Sequence, residues 1–155
     1  MKERVTIDYL ETHPDLIPVC ASWAFGQWGC QSGGSFDRAK TRFTEGANRN
    51  GIPLTLVALS GGKPAGMVSL WAEDFIGRPD LSPWMASVYV HPFHRKKGIA
   101  LSLIKRLEEE AKRLGYEDIY LVTEESKGLY EKNGWQEIAQ VHTHYGAASL
   151  MTKAL

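Results

Sequence analysis

Three cations and a glycine stand in a row at Arg95-Lys96-Lys97-Gly98, between a run of strand-forming residues, Trp84–Val90, and an apolar-periodic segment that ends at Leu114. His91-Pro92 stops the strand, and the basic turn opens directly into the helix. That order builds an anion site. The first N–H groups of a helix have no intrahelical acceptor, and the helix dipole favours negative charge beside them. Gly98 lets the backbone approach a phosphate without a Cβ in the way. The expected ligand is phosphorylated. Other reactive residue types are less well grouped. Cys20 and Cys30 are the only cysteines, and no histidine or acid next to Cys30 in sequence activates it as a nucleophile. A chain of 155 residues needs no disulfide staple, so free thiols are expected. His91 and His94 are close, as are His142 and His144, but Pro92 breaks a regular helix across the first pair. No cysteine or carboxylate completes a ligand set, and no metal is expected.

The elements that must hold this turn are readable from periodicity. Ala100, Leu103, Ile104, Leu107, Ala111 and Leu114 recur at steps of three and four and form one apolar stripe. Glu108 and Lys112, then Glu109 and Arg113, have the favourable i,i+4 order on the other face, and Gly115 suits the position after the helix end. Upstream, Arg4–Tyr9 reads as an opening strand. A helical pattern starts at Pro14 and runs through Val19, Trp23 and Phe25 to Trp28; Ser32-Gly33-Gly34-Ser35 makes a loop. Asp37 is expected to cap a second helix reaching about Asn48. Leu54–Leu59 and Ala65–Trp71 form a hairpin around Gly61-Gly62. After the central helix come a strand at Ile119–Val122, a short helix from Glu125 to Lys132, and strands at Trp135–Val141 and Ser149–Lys153. The order is β-α-α-β-β-β-α-β-α-β-β. The helix between Trp84–Val90 and Ile119–Val122 requires a parallel crossover within a hairpin-rich sheet.

Arg95-Lys96-Lys97-Gly98-Ile99-Ala100 fits the R/Q-x-x-G-x-G/A signature of the GNAT N-acetyltransferases, and Leu129-Tyr130-Glu131-Lys132-Asn133-Gly134-Trp135 resembles that family's later Tyr-x-x-x-Gly-Phe/Trp element. The two occur in the family's order, and together they cover the chain from Trp84 onward. The resemblance implies an α/β (α+β) fold: a mixed, mostly antiparallel central sheet with a splayed parallel strand pair and flanking helices. It implies acetyl-coenzyme A as co-substrate, with its pyrophosphate on Arg95, Lys96, Lys97, Gly98, Ile99 and Ala100. The pantetheine arm would lie in the splay, on backbone groups of Val88, Tyr89 and Val90. Where the family usually has an asparagine before the next helix, this chain has Glu124-Glu125-Ser126, and Ser126 is the expected contact there.

Direct acetyl transfer needs a neutral amine, a polarised thioester carbonyl and a proton for the departing thiolate. The resemblance puts Tyr130 near the sulfur as proton donor; without it, Tyr130 would be a packing residue beside Trp135. Glu73 is the expected general base, ahead of its neighbour Asp74, and either could instead attract a cationic substrate. Trp23, Trp28, Trp71 and Trp84 suit an acceptor pocket or a core equally. The expected activity is acetyl transfer to a primary amine on a small molecule or peptide. The alternative is an acyl-coenzyme A-binding or sensor module without turnover.

Composition bounds these readings. The length suits one domain, residues 1–155, and 43% apolar with 23% charged residues is ordinary for a globular protein. A formal net charge of zero argues against nucleic acid or a membrane surface as partner. No apolar run approaches the roughly 20 residues that cross a bilayer. Met1-Lys2-Glu3-Arg4 leads into Val5-Thr6-Ile7 without a signal-type apolar region, so a cytoplasmic monomer or homodimer is expected.

Overall fold

Alternation along one hairpin sets the layers of the molecule. In the computed structural model, which describes residues 4–155, β2 (Leu54–Ser60) is buried along its whole length. Leu56 and Ala58 face a core shared with α3 (Ile99–Arg113), and Val57 and Leu59 face a second core built with α1 (Ile17–Ala24) and α2 (Phe36–Gly46). A strand covered on both faces is largely apolar, which is why this run shows no polar alternation. Its buried Thr55 hydroxyl is satisfied by that of Ser69 at 2.7 Å. β3 (Lys63–Trp71) pairs with it through a tight turn in which Gly61 and Gly62 both take positive φ. Met1–Glu3, read from the sequence as a polar lead-in, lie outside the described residues.

The remaining strands are β1 (Val5–Tyr9), β4 (Trp84–Val90), β5 (Asp118–Thr123), β6 (Gln136–Thr143) and β7 (Gly146–Ala154), with α4 (Lys127–Lys132) between β5 and β6. They form a sheet in the order β1-β2-β3-β4-β5-β7-β6, antiparallel except at β4–β5. There the ladder has a single pair, Trp84 with Tyr120, and the strands then part. β5 by contrast pairs with β7 along its whole length. The mixed sheet with a splayed parallel pair is therefore present.

Several local expectations are corrected. Ser35, not Asp37, caps α2, its Oγ accepting the Arg38 N–H at 3.1 Å. The helix expected from Pro14 to Trp28 is divided into a 3₁₀ turn at Pro14–Leu16, then α1, then a π-helical turn at Phe25–Gly29, and a further 3₁₀ turn at Leu10–Thr12 precedes it. Pro18 has no N–H to give residue 14, so α1 can only begin around it. On α3, Glu108 and Arg113, one from each expected i,i+4 pair, take other partners. Glu108 accepts from Lys153 Nζ at 2.7 Å and Trp135 Nε1 at 3.2 Å, while Arg113 turns to Glu110 at 2.9 Å. Glu110, only 5% exposed, also accepts from the Tyr9 hydroxyl and ties α3 to β1.

Cys20 is buried, which pushes its thiol up to about 12, and Cys30 is exposed; both are free. Among the described residues no group of three or more His, Cys, Asp or Glu side chains is arranged to hold a metal ion. Among those residues no helix is long and apolar enough to cross a membrane.

Candidate active site

The two ends of β4 prepare different things. At its start, Trp84 is fully buried and its Nε1 donates to Leu81 O at 2.7 Å, so this tryptophan belongs to the core. Towards its end the pairing with β3 slips: Met67 faces Tyr89 but Ser69 faces Ala86. Ser87 and Val88 fall inside the slip, and Ser87 has φ +55°, a left-handed value unusual for a residue with a side chain. This bulge lies where β5 has already diverged. Backbone groups of β4 here face a gap instead of a neighbouring strand.

The basic turn follows. Arg95 Nε donates to Val90 O at 3.0 Å, which folds that side chain back on the strand. Lys96 and Gly98 both have positive φ, and a Cβ built on Gly98 would meet nothing within 4 Å. α3 then begins at Ile99 with no side chain capping it, unlike α2. Its first N–H groups have no side-chain acceptor and follow directly on Arg95, Lys96 and Lys97, all of them exposed. Ile99 is 3% exposed, so only its backbone is available to a ligand. An uncapped helix start, a left-handed glycine with room around it and an unpaired strand edge fit a pyrophosphate with an amide-bearing arm.

A cavity of about 1250 Å³ continues from this gap. Val88 and Ala100 line its cofactor end, and Ser126 and Tyr130 line the side formed by α4. Tyr89 turns away and packs on Trp23, ring centroids 5.2 Å apart; Val90 is half-buried. Tyr130 is 7% exposed, stands edge-on to Trp135 at 5.7 Å, and is pushed up to about 12 by burial. The phenol keeps its proton throughout the neutral range. Its hydroxyl has no hydrogen-bond partner among the described residues.

The far end of the cavity is built by α1, α2, the segment after β3 and the β6–β7 hairpin. Trp28 and Trp71 line it, whereas Trp23 and Trp84 do not. Of the neighbouring carboxylates, Asp74 lines the cavity and Glu73 does not. Asp74 keeps open surface, but the concave wall crowds out bulk water around it. That desolvation outweighs the positive charge of Arg42 and, with the negative charge of Glu124, pushes its carboxyl up to about 6. Arg42 lies over the Trp71 ring at 4.2 Å, and Glu124 accepts from the Thr143 hydroxyl at 2.9 Å. The hairpin closes over this end: Tyr145 Oη donates to Trp28 O at 3.3 Å, and the His144 ring meets Gln31 O at 3.2 Å.

Arg42 and Arg38 escaped the sequence reading, although their i,i+4 spacing on an amphipathic helix was visible. The bulge at Ser87 left no sequence signal at all.

Among curated proteins none matches the sequence. Solved structures with the same fold include an aminoglycoside 6'-N-acetyltransferase complexed with coenzyme A, with TM-score 0.75, 17% identity and 96% of each chain covered. The aminoglycoside 6'-N-acetyltransferase from Enterococcus faecium superposes with TM-score 0.72, 16% identity and 96% of each chain covered. A chimera of the Vibrio cholerae spermidine N-acetyltransferase SpeG gives TM-score 0.68 and 21% identity over 97% of this chain and 95% of that one. At such identities the likeness speaks for the fold. The acetyltransferase (GNAT) family profile matches the sequence itself over residues 7–135, from β1 through the uncapped turn to Trp135. With that match spanning strands β1 to β5, the anion turn and the α4 tyrosine together, the chain belongs to the GNAT acetyltransferase family.

Proposed function

We propose that the protein moves an acetyl group from acetyl-coenzyme A to a primary amine by direct attack, its 155 residues acting as one catalytic domain. The observation that carries this reading is the continuity of one cavity, from the opened β4–β5 gap at Val88 and Ala100 to a chamber lined by both Asp74 and Tyr130. The bulged edge of β4, the turn at Arg95–Gly98 and the start of α3 would hold acetyl-coenzyme A, with Ser126 beside its arm. That molecule supplies the acyl group already activated as a thioester.

Asp74 takes the proton from the acceptor's ammonium, directly or through water. With its carboxyl near 6 it is charged at neutral pH yet basic enough to hold a proton briefly. Glu73, exposed and outside the cavity lining, is left as a solvent-facing charge. A backbone N–H at the Ser87–Val88 bulge polarises the carbonyl under attack. Tyr130 holds a proton at its hydroxyl against the departing sulfur. A free thiol, with a pKa of about 8.5, is a stronger acid than a phenol held near 12. The hydroxyl therefore works chiefly as a hydrogen-bond donor to the developing thiolate.

The test is thiol release, with mass spectrometry of the products, across an amine library at saturating acetyl-coenzyme A. Acetylated amine with matching thiol is the expected result. A protein that binds coenzyme A by calorimetry but acetylates no amine would be a binding module instead.

A further inference from the structure

The acceptor end of the cavity has two poles. Its α2 wall carries Arg38 and Arg42, one turn apart. Among the described residues neither guanidinium forms an ion pair. Arg42 is held over the Trp71 ring, 4.2 Å from its centroid, and no protein acceptor takes up its N–H donors among those residues. Attraction to a ring face restrains a guanidinium without using the in-plane fork that grips a carboxylate. The indole Nε1 of the same Trp71 is buried and also lacks a partner. The ends of β3 and β5 carry the opposite sign, in Asp74 and Glu124. Glu124 is engaged by Thr143, which leaves Asp74 as the open carboxylate of this wall. Asp37 on the same helix as the arginines also lines the cavity, at the side where it borders an outer depression with Lys40 and Thr44.

Building on the acetyltransferase reading above, we infer that the acceptor is an amine that also carries a carboxylate, such as an amino acid or a peptide whose N-terminal residue is acidic. Its ammonium lies against Asp74, and its carboxylate lies in the fork of Arg42 with Arg38 beside it. A carboxylate and a guanidinium match in geometry as well as charge. A polyamine or aminoglycoside would instead set ammonium groups against two unpaired guanidiniums, and that like-charge contact selects against it. In the transfer, the nitrogen gives up one proton to Asp74 before attack and a second as it bonds to the acetyl carbon and the carbon–sulfur bond breaks. The sulfur leaves with the electron pair and takes up that second proton, passed along the Tyr130 hydroxyl or water, to become the thiol. The acceptor's carboxylate takes no part in bond making; it fixes the amine in place.

The experiment compares matched acceptors at pH 8.5, where Asp74 is charged whether or not Arg42 is present. Free amino acids are set against their amides, peptides beginning with aspartate or glutamate against those beginning with asparagine or glutamine, and spermidine and kanamycin form a third arm. The carboxylate-bearing members are expected to lead their partners by at least about 10-fold in kcat/KM. The first two arms tell amino acid from peptide. Arg42→Gln should shrink that lead about 10- to 100-fold, mainly through KM, with Arg42→Lys recovering part of it. Calorimetry with coenzyme A verifies that each variant is folded, and the wild-type comparison alone decides the case if one is not. Equal rates for acids and amides, or a preference for spermidine or kanamycin that Arg42→Gln enhances, would overturn the inference and leave the acetyltransferase reading standing. No product from any amine overturns that reading, and this one with it.

Discussion

A carboxyl held near 6 gives the reaction a signature at a pH where ordinary aspartates no longer titrate. Desolvation by the cavity wall raises Asp74, Arg42 lowers it, and Glu124 raises it further. If Asp74 collects the amine proton, kcat/KM should fall below about pH 6 in the wild type. Arg42→Gln removes the lowering charge, so this limb moves to higher pH; Glu124→Gln removes the raising charge and moves it lower. Titration of the acceptor's own ammonium is common to every variant, so the displacement between profiles reports Asp74. A limb that ignores both neighbours but moves with Glu73→Gln would reassign the base. At the leaving-group side, Tyr130→Phe keeps the ring against Trp135 and deletes one donor. Turnover should drop by about 10²–10³-fold with little change in coenzyme A affinity. Single-turnover kinetics would separate that loss from slow product release.

α3 joins the cofactor turn to the rest of the fold, and its two ends call for different tests. At the N-terminal end, Gly98 has φ +76° and open space around its Cβ direction. Gly98→Asp should thus cost about 1 kcal/mol of fold stability for the left-handed backbone. Coenzyme A binding should weaken well over 10-fold, because a negative side chain enters the anion site. Calorimetry and thermal melts on the same sample would show the two effects apart. Toward the C-terminal end, burial would raise Glu110, but hydrogen bonds from Tyr9 and Arg113 outweigh it and hold the carboxyl below its ordinary value. A lowered acid stabilises the native state above the unfolded pKa of 4.5, and that contribution is lost as pH falls through the folded value. Glu110→Gln should cost roughly 2–3 kcal/mol at pH 7 and much less near pH 3, measured by urea unfolding at both. The stripe Leu103, Ile104, Leu107 and Ala111 was readable because periodicity is local. The pairing of Tyr9 with Glu110 was not, since those residues lie 101 positions apart and only the folded sheet brings them together.

Across the whole molecule, strands β1–β4 and strands β5–β7 share one ladder pair, and the hairpin bridges to Trp28 and Gln31 near the cavity. A ligand in the gap touches both halves. Coenzyme A at 100 times its dissociation constant should add about 2.7 kcal/mol to folding, or about 5–10 °C in Tm for a chain of this size. A rise confined to a local probe, with no change in the global melt, would mean that the halves unfold separately. The order of elements and the parallel crossover could be read in advance, because glycine or proline bounds the β2–β3 hairpin and the start of β4, and the helix after β4 is unmistakably amphipathic. The acceptor chamber could not. It is assembled from α2, the segment after β3 and the β6–β7 hairpin, whose residues carry no mutual spacing in the sequence.

The turn at Gly98 offers a ligand mainly main-chain amides, whereas the chamber at Arg42 and Asp74 offers side chains. Main-chain amides are the same whatever the residue, provided the backbone shape is kept. A saturation library would accordingly show two kinds of tolerance. Lys97 should accept many replacements with the donor retained, whereas positions 38, 42 and 74 should trade one acceptor for another almost change by change. The same catalytic frame could be re-aimed at new amines over short mutational distances, without relearning how to hold its acetyl donor.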